Sequence, residues 1–105
     1  MLKPKTLIVL GREYSVSYVS KPSDVDPKGR DSLWGHIDYW TRRINIYDNG
    51  RADFDILETL LHEILHALDN DLDLKLKDGD SEERLHRLAV GLADTLQRNG
   101  FWKLK

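Results

Sequence analysis

The sequence predicts an α+β fold in which a small antiparallel sheet of two hairpins packs on two main helices. Three features carry that reading. Short stretches alternate apolar and polar residues: Tyr14, Val16 and Tyr18 interleave with Ser15 and Ser17, and Ile44 and Ile46 flank Asn45. Two longer stretches, beginning near Asp53 and Glu82, repeat apolar residues at helical spacing. Gly, Asn, Asp and Pro cluster between these segments and mark turns.

In order along the chain, Thr6–Leu10 is apolar and partly β-branched and reads as a strand. Gly11-Arg12 is a candidate tight turn, and Glu13–Ser20 is a half-buried strand completing a hairpin. Lys21–Asp31 carries Pro22, Pro27 and Gly29 among charges and reads as a loop. Leu33–Tyr39 and Arg43–Tyr47 form a second hairpin turning near Trp40-Thr41-Arg42. Gly35 marks a bulge or a close backbone approach. That strand also offers an edge for β-addition of an extended peptide.

Asp48-Asn49-Gly50 is a turn, after which a helix starts near Asp53, with Asp53, Asp55 and Glu58 favouring its positive end. Its apolar stripe is Leu57, Leu61, Ile64, Leu65 and Leu68, and it is expected to stop at Asp69 with Asn70 as terminator. Asp71–Asp80 is an acidic loop without the spacing of a calcium-binding EF-hand. Ser81 looks like an N-cap for a helix from Glu82 to about Arg98, whose stripe is Leu85, Leu88, Ala89, Leu92 and Leu96.

The chemistry-bearing segment is His62-Glu63-Ile64-Leu65-His66 on the first helix. Two His four residues apart lie one turn apart on one side, so both imidazoles can reach the same Zn²⁺. Glu63 between them can serve as general base toward water on that metal. A catalytic zinc site needs a third protein ligand, and with no Cys in the chain it must be His, Asp or Glu. On the second helix, Glu82 lies about 60° from the centre of the apolar stripe, His86 about 100° and Glu83 about 160°. Glu82 is thus the first candidate, His86 the second, as ligand or supporting partner, and Glu83 the third. His36, Tyr39 and Tyr47, on the neighbouring strands, are candidates to stabilise an oxyanion, although packing is the plainer role for both Tyr.

Composition narrows the alternatives. A chain of 105 residues reads as one domain spanning 1–105. Sixteen basic against eighteen acidic residues give no field that favours nucleic acid, and no basic patch is interleaved with aromatics. No apolar run approaches membrane-spanning length, and Leu7–Leu10 is too short for a signal peptide, so a cytoplasmic protein is expected.

These residues resemble a family. Gly35–Tyr39, Arg43–Ile46, Thr59–Leu68 and Glu82–Leu92 together resemble the small zincin-type metallopeptidase-like proteins of phages and bacterial mobile elements, related to the ImmA/IrrE group. The resemblance covers roughly residues 33–99 and is most specific over Thr59–Leu68. It implies a minimal gluzincin-like fold, Zn²⁺ held by His62, His66 and Glu82, Glu63 as general base, and a peptide or protein substrate. The chain departs from the family in placing His86 where related peptidases often carry Asn. Many of them also carry an extra domain, which is not expected within these 105 residues. A second reading is a zincin-like scaffold acting by protein contact without catalysis, for which Trp34, Trp40 and Trp102 are candidate surface aromatics.

Overall fold

A computed structural model of the chain describes residues 3–26, 34–75 and 81–102. Its elements are β1 (Thr6–Val9), β2 (Arg12–Val19), a short 3₁₀ turn at Pro22–Asp24, β3 (Gly35–Asp38), β4 (Arg43–Tyr47), α1 (Asp53–Leu72) and α2 (Ser81–Arg98). The α+β class and both hairpins stand as expected. The hairpins are antiparallel, β1 with β2 and β3 with β4, but they meet through a parallel pairing of β2 with β4. The sheet is therefore mixed, in the order β1-β2-β4-β3. Local turn chemistry sets each hairpin, whereas the β2–β4 join pairs strands that are distant in sequence.

The first turn lies one residue earlier than expected. Leu10 and Gly11 both take positive φ, 52° and 77°, the backbone that joins two twisted strands through a two-residue loop. In the second turn the Asp38 carboxylate accepts hydrogen bonds from the backbone N–H of Trp40 at 2.9 Å and of Thr41 at 3.3 Å.

Helix α1 is central, and it buries two faces rather than one stripe. Ile56, Leu60 and Ala67 pack against Val9, Tyr14, Val16, Ile44 and Ile46 of the sheet. Leu57, Leu61 and Leu65 pack against Leu85, Ala89 and Ala93 of α2. Ile64 and Leu68 touch both clusters. Fully burying a Leu side chain contributes about 1.5–3 kcal/mol, so Leu57 and Leu60, fully buried on adjacent faces of the helix, each anchor one layer. Helix α1 runs past Asn70 to Leu72 and ends where Asp73 adopts the left-handed conformation, φ 50°. A short polar side chain tolerates that conformation better than most non-glycine residues do.

The segment read as a plain loop contributes to the core. Val25 is fully buried, Asp26 is buried, and the Asn45 amide donates to the Val25 carbonyl at 3.0 Å. This covers the face of β4 that points away from α1. The remainder of that loop, the Asp78-Gly79-Asp80 stretch weighed for calcium, and the Ser81 cap all lie outside the described residues and side chains. Trp40 is 96% exposed and Trp34 61% exposed, but Trp102 is half-buried against both core clusters, which corrects its reading as a surface aromatic. Among the described residues, no helix is long and apolar enough to cross a membrane.

Candidate metal centre

The flank of α1 left over after two buried faces is polar. Asp55, Glu58, Thr59, His62, Glu63 and His66 recur along it at helical spacing. Opposite stand the first turns of α2, and one side is closed by β3, an edge strand. Between them lies a cleft of about 630 Å³ whose walls include Trp34, Gly35, Arg51, His62, Glu82 and His86. A shallower hollow continues past Gly35 and Glu63 to Tyr39 and His66.

His62, His66 and Glu82 converge where the two hollows meet. His62 Nε2 lies 2.7 Å from Glu82 Oε1 and 3.1 Å from His66 Nε2, and His66 Nε2 lies 3.3 Å from Glu82 Oε1. The imidazoles come from adjacent turns of one helix and the carboxylate from the start of the other. This group could hold a metal ion. Partial burial alone would raise the Glu82 carboxyl, but the hydrogen bond from His62 and the nearby charges of His66 and His62 hold it below the usual glutamate range.

Glu63 occupies a different environment. It is only 5% exposed, seated between α1 and β3. Burial, reinforced by the charge of Glu82, pushes its carboxyl up to about 8. The seat exists because position 35 has no side chain: a Cβ there would stand 3.0 Å from Glu63 Oε1 and 2.6 Å from Thr59 Cγ2. The close approach expected at Gly35 is thus made with the side chains of α1.

The other two second-helix candidates are turned elsewhere. Glu83 is exposed and pairs with Arg87 one turn on, at 2.7 Å. His86 lines the cleft but faces Glu58, with Nδ1 3.5 Å from Oε1 and its ring centre 6.1 Å from that of His62. It stands beside the three-residue group without joining it.

Among the candidates for an oxyanion, His36 borders the shallower hollow, although strand alternation sets it opposite Asn45 while Gly35 and Ile37 take the face toward α1. Tyr47 packs against Trp34, ring centres 5.6 Å apart, and does not line the cleft. Tyr39 does line the hollow beside His66, and its hydroxyl donates to the His66 carbonyl at 3.4 Å.

Arg51 was not singled out from the sequence. Its guanidinium donates to the Tyr47 carbonyl at 2.8 Å, the Asp55 carbonyl at 3.1 Å and Thr59 Oγ1 at 2.8 Å, and it stacks 4.4 Å from the Trp34 ring centre. It ties the end of β4 to the start of α1 and lines the cleft as a cation. Its one sequence signal is its place between the Asn49-Gly50 turn and the helix start.

Compared with known proteins, the chain matches no family model, no curated protein and no solved structure.

Proposed function

We propose that the protein is a zinc-dependent metallopeptidase of the small zincin-like type, with His62, His66 and Glu82 as metal ligands and Glu63 as general base. The observation that carries the reading is the convergence of two imidazole nitrogens and a carboxylate oxygen beside a buried carboxyl in an open cleft. The donor set suits zinc. Ligands about 2.0–2.1 Å from a tetrahedral ion stand about 3.3 Å apart, and the separations here are 2.7, 3.1 and 3.3 Å. Calcium and magnesium favour shells of oxygen alone, which two His ligands do not provide.

When bound, zinc supplies Lewis acidity toward a carbonyl oxygen and makes water easier to deprotonate. The chain's own residues supply the rest. Glu63 takes the proton of the attacking water and delivers it to the departing amine. Without a cation, burial keeps this carboxyl largely protonated near neutral pH. Glu63 would shift toward its ionised form with a dication held by His62, His66 and Glu82, because a nearby positive charge favours a carboxylate. Glu82 brings one negative charge to the ligand set, and Glu58 steadies the His86 imidazole on the opposite wall.

The test is hydrolysis of a pooled peptide library by zinc-loaded protein. Cleavage should disappear on chelation and return with added Zn²⁺. Fully zinc-loaded protein that leaves every peptide intact would instead favour a metal-binding scaffold that acts by contact.

A further inference from the structure

Most described glycines of this chain are explained by backbone shape or open space. Gly11, Gly50 and Gly100 take positive φ with nothing near the missing side chain, and a Cβ on Gly91 would also meet nothing. Gly35 differs. Its φ lies outside the left-handed region, yet a Cβ there would meet Thr59 Cγ2 at 2.6 Å, Glu63 Oε1 at 3.0 Å and Glu63 Cγ at 3.3 Å. The position requires space, and the space is filled by Glu63 and its neighbour one turn earlier.

Neither neighbour can easily yield. Thr59 is buried, its hydroxyl donates to the Asp55 carbonyl at 2.9 Å and it accepts from Arg51 at 2.8 Å. Thr59 is thereby pinned at both ends of its hydrogen-bonding capacity. Glu63 is buried on the remaining side and borders both hollows, so the direction left to a displaced carboxylate is into the cleft. Register fixes the arrangement from the other side: Gly35 pairs with Ile46 and Ile37 with Ile44, and both of those Ile are fully buried toward α1. Strand β3 cannot rotate its backbone away without withdrawing Ile37 from the same core.

We propose that Gly35 is the positioning residue for Glu63: the bare backbone of the edge strand forms one wall of the seat that aims the carboxylate, and any side chain there pushes the base out of that seat and out of its working alignment. The proposal rests on the reading of Glu63 as general base. It assigns Gly35 no part in holding metal, since the atoms nearest to its missing side chain belong to Thr59 and Glu63, neither of which is in the ligand group.

The experiment separates positioning from simple stability. Gly35→Ala should lower both the melting temperature and kcat, with zinc content and KM unchanged. Thr59→Ser removes Cγ2 but keeps the hydroxyl that Arg51 and Asp55 use. In Gly35→Ala/Thr59→Ser the melting temperature should recover most of its loss, while kcat stays at least tenfold below that of Thr59→Ser alone, because the contact with Glu63 remains. Recovery of kcat in step with stability would show that Gly35 serves the fold alone, and would overturn the proposal. A second arm needs no substrate. The stability cost of Gly35→Ala should shrink in a Glu63→Ala background, where Oε1 and Cγ are gone, and an equal cost in both backgrounds would also overturn it. Wild-type protein that is fully zinc-loaded yet hydrolyses nothing would remove the peptidase reading. The stability cycle would still decide whether Gly35 seats Glu63.

Discussion

Two glutamates on facing walls of the cleft, Glu63 and Glu82, are treated oppositely. On the wall made by α1 and β3, Glu63 is packed into the protein and its carboxyl is driven toward neutrality, to about 8. On the α2 wall, the Glu82 side chain is 68% exposed and is held ionised by two imidazoles. The first is placed by tertiary packing, through Gly35 and Thr59. The second is placed by helix rotation and by the groups it binds. A carboxyl meant to move a proton gains from burial, which brings its affinity for protons near the working pH. A carboxyl meant to hold a cation gains from staying ionised and from reaching its partners. Under the proposed function, one side-chain type serves two roles because two environments push its protonation apart.

The contrast can be broken first at Glu63. Glu63→Gln keeps the shape and removes the base, so hydrolysis should fall by about 10²- to 10⁴-fold while zinc content holds. Stopped-time cleavage assays beside metal analysis measure both, and wild-type rates in the variant would refute the assignment of the base. At Glu82 the effect should be on the metal. Glu82→Ala should weaken zinc binding at least about tenfold by competition with a chromogenic chelator, because two His alone leave the ligand set incomplete.

Stability against pH sharpens the same comparison in chelated, metal-free protein. The folded-state carboxyl of Glu63 sits at about 8, above its ordinary value of 4.5. The folded form therefore binds the proton more tightly. This contribution to stability is complete below about pH 4.5 and is lost as pH rises through 8. Glu63→Gln should flatten that decline in chemical denaturation, and an unchanged slope would contradict the buried environment. Arg51→Ala should cost about 1–3 kcal/mol by leaving the Tyr47 and Asp55 carbonyls without this donor. Glu83→Ala should be smallest, within about 0.5 kcal/mol and without change in metal content, since its pair with Arg87 is exposed.

Local signals were readable from the sequence, and contacts across the fold were not. Helical spacing placed His62 and His66 together, and the rotation of the second helix was enough to rank Glu82 ahead of Glu83. Alternation with period two found both hairpins. The parallel join of β2 to β4 escaped, because no turn residue encodes a pairing made between strands separated by a long connection. The buried Val25 escaped for a related reason: one apolar residue among charges has no period, and its partner Asn45 lies on a distant strand. The depth of Glu63 depends on Gly35 opposite, so neither residue announces it alone. The end of α1 fell later than Asn70 because Asp73 accepted the left-handed turn instead.

The most direct test of the metal centre is the metal content of protein purified without added chelator, wild type beside His62→Ala. The expected result is stoichiometric zinc in the wild type and its loss in the variant, accompanied by a lower melting temperature, since an ion bound only by the folded state adds to stability. Equal metal content in the two proteins, or none in either after incubation with Zn²⁺, would contradict a site built on His62, His66 and Glu82.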